Sequence, residues 1–264
     1  MLSSRSQSVA ATIKSERELG SMRKAGRVVA AMLDRVSTAV IPGVTTAELD
    51  RIARDVLKEK HAKPSFLNYA PTPGIRPFPA TICTSVNEQI VHGIPSDRVI
   101  KNGDLVKIDA GAIVDGFHGD AAVTVIAGET TYEARGLVDA TKQALDIGIE
   151  AAQPGNRIGD ISASIEAFIR PLGYELVREY SGHGIGRRLH EPPQIFNYGM
   201  PGQGLLLRPG MTIAIEPMVN LGGWENRVLD DEWTVVTADG AISAHFEHTV
   251  AITESGPEVL TTTF

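Results

Sequence analysis

The chain has 264 residues, 42% of them hydrophobic and 5% aromatic, with a net charge of −7. That length and apolar fraction suit one well-cored domain, expected over residues 16–264, and no apolar run approaches the ~18 residues of a membrane helix. An acidic balance without a basic cluster argues against a dedicated nucleic-acid surface, and the single cysteine, Cys83, precludes an intramolecular disulfide and fits a reduced cytoplasm.

Residues 1–15, MLSSRSQSVAATIKS, are serine-rich and free of acids, which predicts a flexible tail. A helix is expected from about Glu16 to Ser37, because Leu19, Met22, Ala25, Val29, Met32, Leu33 and Val36 recur at helical spacing. Thr45 and Glu48 make a capping box for a second helix, whose apolar stripe is Leu49, Ile52, Ala53, Val56 and Leu57. Lys58, Glu59 and Lys60 read as its solvated end. Residues 71–79, rich in proline, predict a loop at a cleft rim.

From Leu105 to Val125 two β-rich runs flank Asp115-Gly116, the strongest short hairpin signal. That turn sets Val114 against Phe117 and Gly111 against Asp120. Asp109 lies two residues from Gly111 and so shares its face. Asp109 and Asp120 thereby become diagonal neighbours, roughly 5–8 Å apart at Cβ. Two acids on one face repel unless a cation or a proton separates them. Their spacing suits a pair of metal ions about 3.5–4 Å apart. A plain solvated hairpin, with Asp120 following a turn at His118-Gly119, stays open on this pair alone.

The second half repeats the first. Thr130 with Glu133 predicts a capped third helix. PGVTTAELDRIARDVL after Pro42 then finds a counterpart in PGNRIGDISASIEAFI after Pro154, with Ile161, Ile165, Phe168 and Ile169 at matching offsets. NGDLVKIDAG lines up with RPGMTIAIEPM, and setting Gly103 on Gly210 puts Asp109 on Glu216. A duplicated unit with a two-fold relation would bring both acids to one centre. His92, His118, His183 and His190 lie in turn-like or glycine-rich settings, and His61 at a helix end. Glycines on both sides of His183 let backbone crowd a buried site, where a neutral imidazole is a plausible ligand. Residues 194–210 predict loops, again at the cleft rim. Glu247 in SAHFEHTVAI completes four carboxylates and one imidazole, a set that favours Mn, Fe, Co or Zn.

SVNEQIVHGIP (85–95), GDLVKIDAG with DGFHGD (103–120), GHGIGRRLHEPP (182–193), IEPMVN (215–220) and FEHTV (246–250) resemble the type I methionine aminopeptidases, in that family's order and over nearly the whole chain. The resemblance implies an α+β "pita-bread" fold, a pseudo-two-fold curved antiparallel sheet with helices on its outer face. It implies two divalent ions held by Asp109, Asp120, His183, Glu216 and Glu247, and hydrolysis by a hydroxide bridging them. His92 and His190 match non-ligand catalytic histidines, Glu216 a proton carrier, and Tyr69, Cys83 and Trp233 a pocket for the methionine side chain. A nucleophilic role for Cys83 is rejected, since nothing places a base beside it. The implied partner is the N-terminal peptide of nascent proteins with a small second residue, cleaved by a cytoplasmic monomer. Such work is compatible with ribosome association, though no motif encodes it. The chain departs from the pattern at an inserted stretch over 70–77, at Leu189, and at Gly111 and Ala121 beside the two aspartates. The alternatives are an Xaa-Pro-type peptidase of the same fold and a catalytically inactive binding module.

Overall fold

The computed structural model describes residues 11–72 and 74–262. Four α-helices lie among them: α1 Glu16–Thr38, α2 Thr46–Glu59, α3 Tyr132–Ala151 and α4 Ile158–Ile169. Every inward residue expected in the first helix is buried. Ser15 caps it through a reciprocal box with Glu18, and Thr45 with Glu48 does the same for α2. The expected box at Thr130 is displaced by one residue. Thr131 is the cap and accepts from Ala134 N–H, while Thr130 Oγ1 instead donates to Gly103 O at 3.2 Å. Two threonines in a row left local sequence no means of choosing between them.

Among the described residues, nine antiparallel strands form one sheet. Its centre is the hairpin Leu105–Val114 and Phe117–Ile126, followed by Glu247–Thr253 and then Thr212–Ile215. The hairpin register is the expected one, with Val114 opposite Phe117 and Gly111 opposite Asp120. Asp115 and Gly116 both have positive φ, 53° and 80°, as a type I′ turn requires.

Alternation along these strands separates two faces. Val106, Ile108, Ala110 and Ala112 pack with Val29, Met32 and Leu33 of α1 and Leu49 and Val56 of α2. Ile213, Ile215, Val250 and Ile252 pack with Leu137, Ala144 and Leu145 of α3 and Ile161 and Ile165 of α4. The helices therefore cover one face of the sheet. The intervening residues, Asp109 among them, point to the other.

The repeat extends into the hydrogen bonds. Gly43 N–H donates to Ile100 O at 2.9 Å and Gly155 N–H to Leu207 O at 3.0 Å; Gly103 N–H donates to Ala127 O at 2.7 Å and Gly210 N–H to Ile252 O at 2.8 Å. All four glycines have positive φ, the conformation that excludes most side chains. Isolated bridges join Thr45 to Val99 in one half and Arg157 to Leu206 in the other. A pseudo-two-fold axis thus passes between the strands Phe117–Ile126 and Glu247–Thr253.

Two sequence expectations need correction. Of the expected flexible segment 1–15, residues 1–10 lie outside the described residues, but the following ones are tied down. Lys14 N–H donates to Gly210 O at 2.7 Å, and its Nζ forms a 3.0 Å ion pair with Glu191 in which both side chains are buried. Residues 194–210 are packed inward and not a free loop: Asn197 Nδ2 donates to Glu216 O at 2.9 Å. Ile195 ends a strand, Gln203 O accepts from Gly159 N–H of α4, and Leu207 is buried in the α3–α4 core.

Candidate metal centre

The faces that carry acids in the two halves meet in one cleft. Asp109 and Asp120 come from the first hairpin and Glu247 begins its strand beside Ala122. Glu216 follows Thr212–Ile215, and His183 sits in the short strand Gly182–Gly184. Ligand atoms of Asp120, His183 and Glu247 all lie within 4.8 Å of one another. His183 Nε2 is 3.9 Å from Asp120 Oδ2 and 3.7 Å from Glu216 Oε1, and Asp109 lines the same cleft. All five side chains named from the sequence converge.

Electrostatics show what this cluster can hold. Burial pushes the Asp109 carboxyl up to about 7. Asp120, Glu216 and Glu247 are raised well above the usual carboxylate range, first by burial and then by one another's charge. Asp109 Oδ1, Asp120 Oδ1 and Glu247 Oε1 are buried without a hydrogen-bond partner. Buried acceptors left unpaired are costly, and a divalent cation would answer all three at once. His183 fits the same purpose: its Nδ1 bonds Gly184 O at 2.9 Å, so a neutral ring offers the Nε2 lone pair to the cluster. Burial lowers its pKa to about 3. The residues present fit a divalent metal.

Around the cluster the cleft is lined by Phe66, Tyr69, Phe78, Cys83, Trp233 and Tyr180, together with His92 and His190. Cys83 stands opposite Asp109 in the sheet. Its strand is held by α2, whose buried Asp50 accepts from Thr81 N–H and Ile82 N–H at 2.7 and 3.2 Å. Burial and the surrounding acids raise the Cys83 thiol, so it is an apolar wall and no nucleophile. Trp233 Nε1 donates to Arg76 O at 2.8 Å and its ring meets Phe78 edge-on, centroids 5.2 Å apart. Pro71, Arg76 and Phe78 therefore stand at the cleft rim and hold one of its walls.

The two non-ligand histidines differ. His92 has φ of 59°, an uncommon conformation for such a side chain, and packs edge-on against Tyr180 and Trp233. Burial brings its pKa to about 4. His190 Nδ1 lies 2.5 Å from the Tyr69 hydroxyl, and its ring stacks edge-on 4.3 Å from that of His183. Tyr69, expected only as a pocket wall, thus also orients a histidine.

Tyr180, Asp50 and His245 are not among the site residues expected from the sequence. His245 is buried, and its Nε2 is 3.8 Å from Glu216 Oε2. A signal existed for it: His245 is two residues before Glu247, on the same face of an extended chain.

Comparison with known proteins supports the same conclusion from outside the structure. Residues 20–254 match the profile of metallopeptidase family M24. A methionine aminopeptidase of Clostridium acetobutylicum is 48% identical over 250 residues, covering 94% of this chain and 98% of that one. Methionine aminopeptidase 1 of Bacillus subtilis is 47% identical over 248 residues, 94% and 98% of the two chains. The crystal structure of the Thermotoga maritima methionine aminopeptidase superposes with a TM-score of 0.93 at 44% identity, covering 96% of this chain and all of that one. The chain belongs to metallopeptidase family M24 and, within it, to the methionine aminopeptidases.

Proposed function

We propose that this chain removes the initiator methionine from nascent proteins whose second residue is small. One observation carries the reading: four carboxylates and an imidazole, three of their oxygens without partners, meet at the side of a small apolar cleft. That cleft holds about 220 Å³, below the 300–1,000 Å³ of sites for drug-sized ligands. It suits one side chain held beside the cluster, not a peptide threaded through it.

Asp109, Asp120, His183, Glu216 and Glu247 would hold two divalent cations, drawn from Mn, Fe, Co and Zn, which when bound supply Lewis-acid activation of water and of the scissile carbonyl. Glu216 takes the proton from the attacking water and passes it to the leaving nitrogen. His190 accepts from the Tyr69 hydroxyl at Nδ1 and so turns an Nε2–H toward the developing oxyanion. His92 orients the scissile nitrogen. Tyr69, Cys83 and Trp233 enclose the thioether, for which polarizable and aromatic walls are suited. Residues 16–264 act as one catalytic unit, and the reduced cytoplasm suits the free thiol of Cys83.

The test is methionine release from Met-Ala-Ser, Met-Leu-Ser and Ala-Pro-Ser by metal-stripped protein reloaded with Mn. Cleavage of Met-Ala-Ser, with Met-Leu-Ser much slower and Ala-Pro-Ser intact, is expected. Cleavage of Ala-Pro-Ser alone would move the chain to proline-specific chemistry. No cleavage by folded, metal-loaded protein would leave a binding module.

A further inference from the structure

His245 takes no part in the steps above, yet its surroundings give it a task. Its side chain is buried, and neither Nδ1 nor Nε2 has a hydrogen-bond partner among the described residues. Such orphaned nitrogens are rare in a folded interior. The backbone around the ring is clamped: Thr124 Oγ1 donates to His245 O at 2.7 Å and accepts from His245 N–H at 2.9 Å. The backbone that carries the ring is therefore held in place, with Nε2 on the side of Glu216.

The two oxygens of Glu216 face different imidazoles. Oε1 lies 3.7 Å from His183 Nε2, the nitrogen that offers a lone pair because Nδ1 is committed to Gly184 O. Two electron-rich atoms placed that way converge on a cation. Oε2 lies 3.8 Å from His245 Nε2. A carboxylate that ligates through one oxygen needs a donor at the other to hold its plane.

The internal repeat arrives at His245 independently. In the first half Gly111 pairs with Asp120, which makes Asp120 diagonal to Asp109. In the second half Met218 pairs with His245, which makes His245 diagonal to Glu216, the counterpart of Asp109. His245 thus stands where Asp120 stands, facing the shared centre from the other side of the pseudo-two-fold axis. Asp120 offers that centre an acceptor; His245 offers a donor.

We propose that His245 is a positioning residue for Glu216: its Nε2–H engages Oε2, turns Oε1 to the metal and fixes the carboxylate as proton acceptor. The inference rests on the two-metal reading of the site. Two variants and one spectrum test it. Leucine fills the space of the ring without a donor, whereas the glutamine amide reaches about where Nε2 lies and keeps an N–H. His245→Leu is expected to lower kcat about 10–100-fold with KM within about threefold, and to weaken Mn binding to metal-stripped protein, read by calorimetry, by a similar factor. His245→Gln is expected to recover most of both losses. In ¹⁵N-labelled wild-type protein loaded with diamagnetic Zn, which keeps Glu216 a carboxylate, two-bond ¹⁵N–¹H correlations should show a neutral His245 ring with its proton on Nε2.

A proton on Nδ1 would overturn the proposal, as would a folded His245→Leu variant that binds Mn and turns over like wild type. Equal losses in both variants, with melting unchanged, would also overturn it, since shape and not donation would then be what matters. Calorimetry and the spectrum do not depend on turnover. They decide for His245 even if wild-type protein releases no methionine.

Discussion

A histidine can donate to a developing oxyanion only if its other nitrogen is already engaged. His190 meets that condition when the Tyr69 hydroxyl beside its Nδ1 is the donor, while His183, bonded at Nδ1 to a carbonyl, is set up as an acceptor. Two imidazoles 4.3 Å apart thereby take opposite roles, each set by its own Nδ1 partner. Since His190 is not among the five side chains proposed to bind metal, losing it should affect turnover alone. His190→Ala is expected to cut kcat by about 10²–10³ while calorimetry shows Mn binding unchanged. A matching loss of Mn affinity would mean that His190 is itself a ligand.

Among elements, the segment before α1 has more to do than its composition suggests. Lys14 and Glu191 form an ion pair with side chains 5% and 8% exposed, and Glu191 also accepts from Arg188 N–H at 3.1 Å. The segment is thus strapped to the turn that carries His190. Removing one partner of a pair so enclosed strands the other, so Lys14→Ala should cost about 3 kcal/mol, seen as a lower denaturation midpoint. Pairing Lys14→Met with Glu191→Leu should recover much of it; no recovery would show that the lysine's packing matters more than its charge. This contact joins residues 177 apart, which explains why it was illegible in the sequence. The central hairpin was legible to the residue, because a period of two and an Asp-Gly turn are local signals. Segment 194–210 was misread for the converse reason: its proline and glycine signalled loop correctly, but only the tertiary fold decides that the loop packs on α4.

In the whole molecule, one half cannot build the centre. Asp109 and Asp120 come from the first repeat, and His183, Glu216 and Glu247 from the second. The equivalence of Asp109 and Glu216 could be read from the alignment of Gly103 with Gly210, and the hydrogen bonds of those glycines bear it out. His245 escaped because its counterpart, Asp120, is a different residue type, so no identity marked the match. Without cations, four buried acids are held against their own charge. Ions that bind only the folded chain must then stabilise it, by about 2.7 kcal/mol at a hundred times the dissociation constant.

Five side chains are proposed to hold the ions on which peptide cleavage depends. The most direct measurement adds Mn stepwise to metal-stripped protein, following melting temperature and methionine release from Met-Ala-Ser in the same samples, beside an Asp109→Ala variant. Both signals should rise together in wild type, and the variant should release no methionine at any Mn concentration that leaves it folded. Release by stripped protein held in chelator, or by the variant at the wild-type rate, would show that cleavage depends neither on the ions nor on Asp109.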